Sequence, residues 1–173
     1  MADKTNNMNC NPETGICEPI ALNGASPTNN NLDNPELIYV GDPMCSWCWG
    51  ISPILSELKT KYGNQLNFRI VLGGLRPGGG DPWNDSFKTF LQHHWEEVSE
   101  RSGQPFSYHL FEQENFNYDT EPSCRAVFVA RQFIPERELE FFETVQYNFY
   151  VKNLDPTKVE FYKNICEKFD INY

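Results

Sequence analysis

The first regular hydrophobic pattern in the chain is the short apolar run Leu37-Ile38-Tyr39-Val40, whose residues favour β-structure. We predict a buried strand there, ended by the turn-forming residues Gly41-Asp42-Pro43. Residues 1–34 are polar and rich in asparagine. They predict an irregular N-terminal extension rather than part of a packed core.

A helical periodicity follows this strand. Its apolar residues recur every three or four positions, as on one face of a helix: Ile51, Ile54, Leu55, Leu58 and Tyr62. Gly63 stands where a helix commonly ends. Residues 66–72 form a second apolar run before Gly73 and Gly74, and predict a second buried strand. A strand, a helix and a strand of this length predict a βαβ unit with parallel strands and a right-handed crossover.

The remainder of the chain has helical patterns and no convincing further strand. We predict four amphipathic helices, with faces marked by Phe87, Phe90, Leu91, His94 and Val98, by Cys124, Val127 and Phe128, by Leu139, Phe142, Val145 and Phe149, and by Val159, Tyr162, Cys166 and Phe169. The expected boundaries are Gly103 after the first, Asp119 or Thr120 before the second, Pro135 opening the third and Asp155-Pro156 opening the fourth. The predicted organisation is therefore an extension (1–34), a βαβ unit (35–75) and a helical region (76–173).

Length and charge narrow the class of protein. The 173 residues suffice for one packed core, and 39% of them are hydrophobic. Lys and Arg total 14 against 24 Asp and Glu, for a net charge of −10, which argues against a nucleic-acid or anionic-membrane partner. No apolar run approaches the ~20 residues of a membrane span, and the N-terminus has no apolar segment typical of a secretory signal. We therefore expect a cytoplasmic protein.

The candidate chemistry lies in Cys45-Ser46-Trp47-Cys48, between the first strand and the first helix. A dithiol that exchanges disulfides needs one thiolate, because the thiolate is the nucleophile, and a second thiol that can displace the mixed disulfide. A helix N-terminus favours an anion, so we predict that Cys45 is the attacking thiol with a lowered pKa. Cys48, one turn further on, is the predicted resolving thiol. This chemistry needs no metal or organic cofactor.

A zinc-stabilised binding module is the alternative, since half a zinc site also has two cysteines separated by two residues. The chain has six cysteines. Six residues lie between Cys10 and Cys17, whereas about two to four usually lie between paired zinc ligands. The strand before Cys45 and the helix after Cys48 favour redox chemistry.

These residues carry a family resemblance. Residues 36–75 resemble the active-site βαβ unit of the thioredoxin superfamily, including Pro53 five residues after the second cysteine. The sequences at residues 42–50, 73–78 and 121–127 are similar to those of the cytoplasmic DsbA-like proteins called predicted protein-disulfide isomerases, the FrnE-like group. The resemblance implies an α/β, thioredoxin-like (DsbA-like) fold with an α-helical insertion. It also implies thiol–disulfide exchange with protein thiols and disulfides, in which Cys45 and Cys48 are catalytic.

The resemblance also raises two further expectations. A related branch, the kappa-type glutathione-linked enzymes, uses serine where Cys45 stands, so the intact pair argues against that function. The resembled fold ends with a β-hairpin and a helix, and a cis-proline before the hairpin faces the cysteine pair. Residues 76–173 show no such segment, so we expect a C-terminally truncated chain that is a weak catalyst and prone to association.

Residues around the cysteine pair are candidates for contact with substrate. Trp47 could offer an apolar surface to an unfolded protein, and Ser46 lies between the two cysteines. Asp42 could tune the pair electrostatically, although an Asp-Pro sequence more often serves the turn itself. For Trp49 we favour packing within the protein.

The other four cysteines have no assigned chemistry. Cys124 and Cys166 fall on predicted helix faces and are expected to be buried, apolar thiols, with a second redox pair as the alternative. Cys10 and Cys17 lie in the polar extension. They could be incidental thiols, form a small disulfide loop or bind a metal weakly.

Overall fold

The computed structural model describes residues 8–10, 17–19 and 34–173 of the chain, the first two segments by their backbone. Those segments are short strands, β1 (Met8–Cys10) and β2 (Cys17–Pro19), which pair antiparallel. The sequence analysis did not predict them, because three-residue strands are too short to show an alternating pattern. The rest of the predicted extension lies outside the described residues, apart from Asn34.

The βαβ unit is present as predicted. Strand β3 (Glu36–Gly41) and strand β4 (Asn67–Leu72) are parallel, and helix α1 (Ser46–Tyr62) connects them. Glu36 lies opposite Asn67 at one end of the ladder and Gly41 opposite Leu72 at the other. Among the described residues, these two strands form a separate sheet from β1 and β2.

Strand β3 is buried on one face, whereas the sequence predicted burial on both. Tyr39 packs against the core, but Ile38 is 49% exposed and Val40 is 63% exposed. A continuous apolar run does not show which face is covered. In β4, Ile70 is 1% exposed and belongs to the core.

Helix α1 turns a different face to the core from the one predicted. Trp49, Ser52 and Leu55 are buried, whereas Ile51 is 41% exposed and Ile54 is 61% exposed. The buried residues also recur every three positions. Two overlapping faces of α1 therefore have helical spacing, and hydrophobicity alone favoured the more exposed of the two.

Pro53 lies inside α1 and cannot donate a hydrogen bond to the Trp49 carbonyl four residues earlier. Two other donors reach that oxygen, Ser52 Oγ and Gln104 Nε2, each at 3.0 Å. The helix therefore tolerates the proline without leaving a buried carbonyl unpaired.

Helix α2 (Asp85–Ser102) packs closely on α1. Its buried face is Leu91, Trp95 and Val98, while Phe90, predicted on that face, is 49% exposed. A Cβ atom at Gly50 would lie 2.8 Å from Val98 Cγ1, so this glycine allows the two helices to approach.

The two predicted helix-ending glycines behave differently. Gly103 follows α2 in the left-handed region with φ of 72°, as a helix-terminating glycine commonly does. Gly63 follows α1 with φ of −58°, in the right-handed region. The prediction of a terminating glycine is therefore confirmed at Gly103, and Gly63 ends its helix without the left-handed conformation.

Three more helices complete the domain: α3 (Glu121–Ala130), α4 (Glu138–Tyr150) and α5 (Val159–Lys168), with 3-10 turns at His109–Glu112 and Pro135–Arg137. The whole predicted face of α4 is buried. Phe128 and Val159, predicted on inner faces, are 54% and 66% exposed. Helix α5 begins after the predicted Asp155-Pro156 start, because Asp155 Oδ1 accepts from Thr157 N at 2.9 Å and closes a separate turn.

Two hydrophobic clusters hold these elements together. One joins α1 and β4 to α3, α4 and α5, with Leu55, Ile70, Val127 and Phe142 among its members. The other is largely aromatic and joins α1, α2, α4 and residues 104–119, which follow α2. None of the helices in the described part of the chain is long and apolar enough to cross a membrane.

Candidate active site

A tight turn delivers Cys45 to the start of α1. Cys45 N donates to the Asp42 carbonyl at 3.1 Å, and Trp49 N donates to the Cys45 carbonyl at 3.1 Å, so the turn runs directly into the helix. Cys45 is the N-cap residue, with an extended backbone. The backbone N–H groups of Trp47 and Cys48 form hydrogen bonds that favour a negative charge on its sulfur.

Cys45 and Cys48 are free thiols, both partly exposed, and their side chains interact with each other. The interaction with the Cys45 side chain lowers the pKa of Cys48 from an ordinary 9.0 to about 6. The same contact, together with burial, raises the pKa of Cys45. The first proton therefore leaves the pair readily, and the second is held.

The lowered pKa lies on Cys48, whereas the sequence predicted it for Cys45. Backbone N–H groups at the helix N-terminus do favour charge on Cys45, as expected, but its contact with Cys48 and its burial raise its pKa by more than those groups lower it. Tyr39 on β3 also contributes to the lowered pKa of Cys48, which the cysteine spacing did not predict.

Tyr39 is a residue of the site that sequence reasoning missed. Its hydroxyl is buried and makes no hydrogen bond of ordinary geometry. It nevertheless interacts with the Cys48 sulfur and helps to lower the pKa of that thiol, while burial and this contact raise the pKa of Tyr39 itself. A buried hydroxyl without a partner is costly, and a thiolate on Cys48 would give it one. Strand alternation could have placed Tyr39 on the inner face.

Asp42 is buried, with an exposed fraction of 3%. Its Oδ1 accepts from Met44 N at 2.7 Å, and its Oδ2 accepts from Leu75 N at 2.6 Å. The Cys124 thiol also donates to Oδ2, at 3.4 Å. One carboxylate thus joins the turn before Cys45, the loop after β4 and helix α3, so Asp42 serves the turn and links it to its neighbours.

Tyr118 is a second residue that sequence reasoning missed. Its side chain is 3% exposed, and its hydroxyl donates to the Met44 carbonyl at 2.7 Å. The bond reaches the turn from the irregular segment after α2. No motif marks this tyrosine, because the contact spans 74 positions of the sequence.

The two tryptophans beside Cys48 have different environments. Trp49 is 6% exposed, donates from Nε1 to the Pro105 carbonyl at 3.0 Å, and stacks on Tyr150. The predicted packing role of Trp49 is confirmed. Trp47 is 43% exposed beside the cysteine pair, with the Arg101 guanidinium 5.6 Å from its ring centroid. Ser46, which lies between Cys45 and Trp47 in the sequence, is partly exposed.

The metal alternative has little support in the described part of the chain. No group of three or more His, Cys, Asp or Glu side chains is arranged there to hold a metal ion. Cys45 and Cys48 would supply two ligands, and a structural zinc site needs four.

Solved structures resemble this fold. A protein from Nitrosomonas europaea, provisionally assigned as a protein disulfide isomerase, is 34% identical with a TM-score of 0.73, over 80% of this chain and 66% of that one. The cytosolic disulfide reductase DsbM from Pseudomonas aeruginosa is 21% identical with a TM-score of 0.67, over 79% of this chain and 64% of its own. A structure of DsbM with GSH is 23% identical with a TM-score of 0.64. The two DsbM likenesses show the fold alone.

The fold is thioredoxin-like and of the DsbA type, as the sequence resemblance predicted. No family model matches the chain. Among curated proteins, the ClpXP adapter protein SpxH of Halalkalibacterium halodurans is 26% identical over 167 residues, which are 91% of this chain and 52% of that protein. SpxH of Shouchella clausii is 40% identical over 69 residues, 38% of this chain and 21% of its own. The chain therefore spans about half the length of the first of these relatives.

Proposed function

We propose that this protein is a thiol–disulfide oxidoreductase that reduces or isomerises disulfides in other proteins through Cys45 and Cys48. The observation that carries the proposal is the pair of free, partly exposed thiols at the start of α1, with the pKa of Cys48 lowered to about 6. At neutral pH such a pair holds one thiolate and one thiol, which are the two species that disulfide exchange requires.

Cys45 is the proposed attacking sulfur, because its position is the outer one of the two. Cys48 packs against the hydrophobic core from within α1, whereas Cys45 lies at the N-cap and is not part of that cluster. The proton of Cys45 passes to the neighbouring Cys48 thiolate. The Cys45 thiolate then attacks a substrate disulfide, forms a mixed disulfide and releases one substrate thiolate.

Cys48 completes the cycle as the resolving thiol. It gives up its proton to the substrate thiolate released first and attacks the Cys45 sulfur of the mixed disulfide. The bond between Cys45 and the substrate breaks, the Cys45–Cys48 disulfide forms, and the second substrate thiolate leaves. Two electrons pass from the pair to the substrate. In isomerisation a substrate thiolate resolves the mixed disulfide instead, and the pair returns reduced.

The proposed partners are protein thiols and disulfides, in the cytoplasm, where the redox poise favours reduction or isomerisation over net oxidation. DsbM, which shares the fold, is described as a cytosolic disulfide reductase. Trp47 offers an exposed ring next to the pair, suited to an unfolded chain.

The experiment is reduction of insulin disulfides by the full chain and by single variants. We expect Cys45→Ser to lose activity by roughly 10³-fold, as when a nucleophile is removed. We expect Cys48→Ser to accumulate a mixed disulfide with insulin on non-reducing gels. Cys166→Ser, which removes a buried thiol on α5, is the matched control and should keep the parent rate.

Two results would contradict the proposal. Equal adducts from Cys45→Ser and Cys48→Ser would overturn the assigned roles. Insulin reduction that persists in the variant lacking both thiols would show that the pair does not carry the activity.

A second candidate function is that of an adapter that binds another protein without turnover, and the likeness to SpxH favours it. The double variant Cys45→Ser/Cys48→Ser separates the two functions. An adapter retains affinity for its partner in this variant and supports delivery to a ClpXP-type protease, whereas an oxidoreductase loses its function.

A further inference from the structure

The pairing register of β1 and β2 places two cysteines opposite each other. Met8 faces Pro19, Asn9 faces Glu18, and Cys10 faces Cys17, so the last residue of β1 is aligned with the first residue of β2. The register is specific, since a shift by one residue would place Asn9 or Glu18 opposite a cysteine instead.

This position meets the backbone requirement of a disulfide. Directly opposed residues of an antiparallel pair have Cα atoms about 4.5 or 5.5 Å apart, depending on whether they exchange hydrogen bonds. Disulfides usually join Cα atoms about 4.4–6.8 Å apart. Either kind of antiparallel pair therefore allows a bond between Cys10 and Cys17.

The same register argues against a metal site within this ribbon. Residues alternate between the two faces of a strand, so the Cys10–Cys17 pair shares its face with the Met8–Pro19 pair, while Asn9 and Glu18 belong to the other face. Neither methionine nor proline is a usual zinc ligand, and the face therefore offers two ligands where four are needed.

We propose that Cys10 and Cys17 are a second dithiol that forms a reversible cross-strand disulfide, separate from Cys45 and Cys48. The oxidant is a low-molecular-weight disulfide, R–S–S–R. One cysteine thiolate attacks it, forms a mixed disulfide and releases R–S⁻, and the other thiolate then displaces the second R–S⁻. Two electrons pass to R–S–S–R, and the two cysteine protons go to the released thiolates. A thiol in excess reverses both steps.

The bond would also matter for the ribbon itself. A two-stranded antiparallel pair is marginally stable alone, and a covalent link between opposed residues fixes its register. Oxidation would thus hold β1 and β2 together, and reduction would release them. This proposal does not depend on the function proposed for Cys45 and Cys48.

Cleavage after glutamate tests the proposal directly, because Glu13 lies between the two cysteines and Glu36 precedes the active-site pair. A proline follows Glu18, so that bond resists cleavage. The protein is equilibrated with mixtures of reduced and oxidised glutathione, alkylated and digested. Cys10, Cys17 and the Cys45–Cys48 pair then fall in three fragments, residues 1–13, 14–36 and 37–57.

We expect fragments 1–13 and 14–36 to be recovered as one disulfide-linked product. Its mass should be the sum of the two fragment masses less two hydrogen atoms, and reduction should separate the fragments. The joined product should also form in Cys45→Ser/Cys48→Ser. In Cys17→Ser, a glutathione adduct on Cys10 should accumulate because nothing resolves it. Separate fragments at every glutathione ratio would overturn the proposal, as would a bond from either cysteine to fragment 37–57. Zinc that protects both cysteines from alkylation would overturn it in favour of a metal site.

Discussion

The two cysteines at the start of α1 and the two within α3 and α5 are chemically different thiols. Cys45 and Cys48 are partly exposed, and the interaction between their side chains lowers the pKa of Cys48 to about 6. Cys124 and Cys166 are each 8% exposed. Burial and the charge of Asp42 raise the pKa of Cys124 to about 12, and burial raises the pKa of Cys166.

The difference comes from position in the helix and from neighbouring donors. A sulfur at a helix N-terminus meets unpaired N–H groups, and a sulfur beside another thiol gains a proton donor. Cys124 lies inside a helix and is itself the donor, to the carboxylate of Asp42. Asp42 also orients the turn before Cys45, so one carboxylate contributes to both environments.

The largest expected effect is on the pH dependence of alkylation. At pH 7 a thiol with a pKa near 6 is mostly thiolate, whereas one with a pKa near 12 is thiolate in about one part in 10⁵. We expect iodoacetamide to modify the reduced Cys45–Cys48 pair with a rate that rises through about pH 6. Cys124 should stay unmodified until the protein unfolds. Peptide mapping against time measures both, and early labelling of Cys124 in the folded protein would break the comparison.

The same shift predicts a pH dependence of stability in the reduced protein. The folded pKa of Cys48 lies below its unfolded value, so its contribution is present above pH 9 and is lost as pH falls through about 6. The raised pKa of Cys45 works in the opposite sense, stabilising at lower pH and fading as pH rises above 9. The net gain from the pair should therefore rise from about pH 6 upwards and be largest near pH 9. Thermal melts of reduced parent and Cys48→Ser across this range provide the measurement.

The next effect concerns Asp42. In Asp42→Asn the amide can still accept from one backbone donor, but its NH₂ group would face either Met44 N–H or Leu75 N–H. A buried donor without an acceptor costs about 1–3 kcal/mol, and we expect a loss of that size in the free energy of unfolding by urea. Cys124→Ser keeps a donor to Asp42 and is the matched control, with a smaller expected loss. Equal losses of unfolding free energy from the two variants would show that Asp42 stabilises the protein through the Cys124 thiol and not through the turn.

The sequence predicted the βαβ unit and the placement of the cysteine pair because both depend on local patterns. The inner face of α4 was also predictable, since its large apolar residues share one stripe, Leu139, Phe142, Val145 and Phe149. For α1 the same reasoning failed, because Ser52 is buried and Ile54 is exposed. The buried Ser52 hydroxyl donates to the Trp49 carbonyl, which Pro53 cannot reach with an N–H group. A hydrophobic pattern does not indicate such a hydrogen bond.

The rest of the site could not be predicted because it depends on contacts between distant segments. Tyr118 reaches Met44 from a segment without regular structure, and Leu75 N–H reaches Asp42 from beyond β4. The lowered pKa of Cys48 depends on its contact with the Cys45 side chain and on Tyr39, which approaches from β3. Spacing alone fixes neither.

A smaller effect is expected from Tyr39→Phe. This variant removes the buried hydroxyl beside Cys48 and leaves the ring that packs against Phe142. The first pKa of the pair should rise, by up to about one unit, or 1.4 kcal/mol of lost thiolate stabilisation. Thiolate absorbance against pH measures the shift. Tyr162→Phe, which removes a hydroxyl bonded to the Pro156 carbonyl, is the control and should leave the titration unchanged. An unchanged titration in Tyr39→Phe would remove this tyrosine from the site.

The smallest effect tests whether the exposed surface beside the cysteine pair recognises protein substrates. Trp47 is 43% exposed, and its ring makes a cation–π contact with Arg101 while leaving area for a second partner. An aromatic contact is worth about 0.5–1.5 kcal/mol beyond area burial, so Trp47→Ala should raise KM for insulin by roughly two- to tenfold. Reduction of a small aromatic disulfide should keep its rate, because the thiols are untouched.

The control for Trp47 is Phe133→Ala, which removes another exposed ring, 65% exposed, that lines the groove between α3 and α5. If substrate recognition is confined to the surface around the cysteine pair, this variant should leave both KM values at the parent level. A KM for insulin that rises equally in the two variants would mean that any exposed aromatic side chain binds the unfolded substrate. The difference between the two classes of cysteine would then explain thiol reactivity but not substrate recognition.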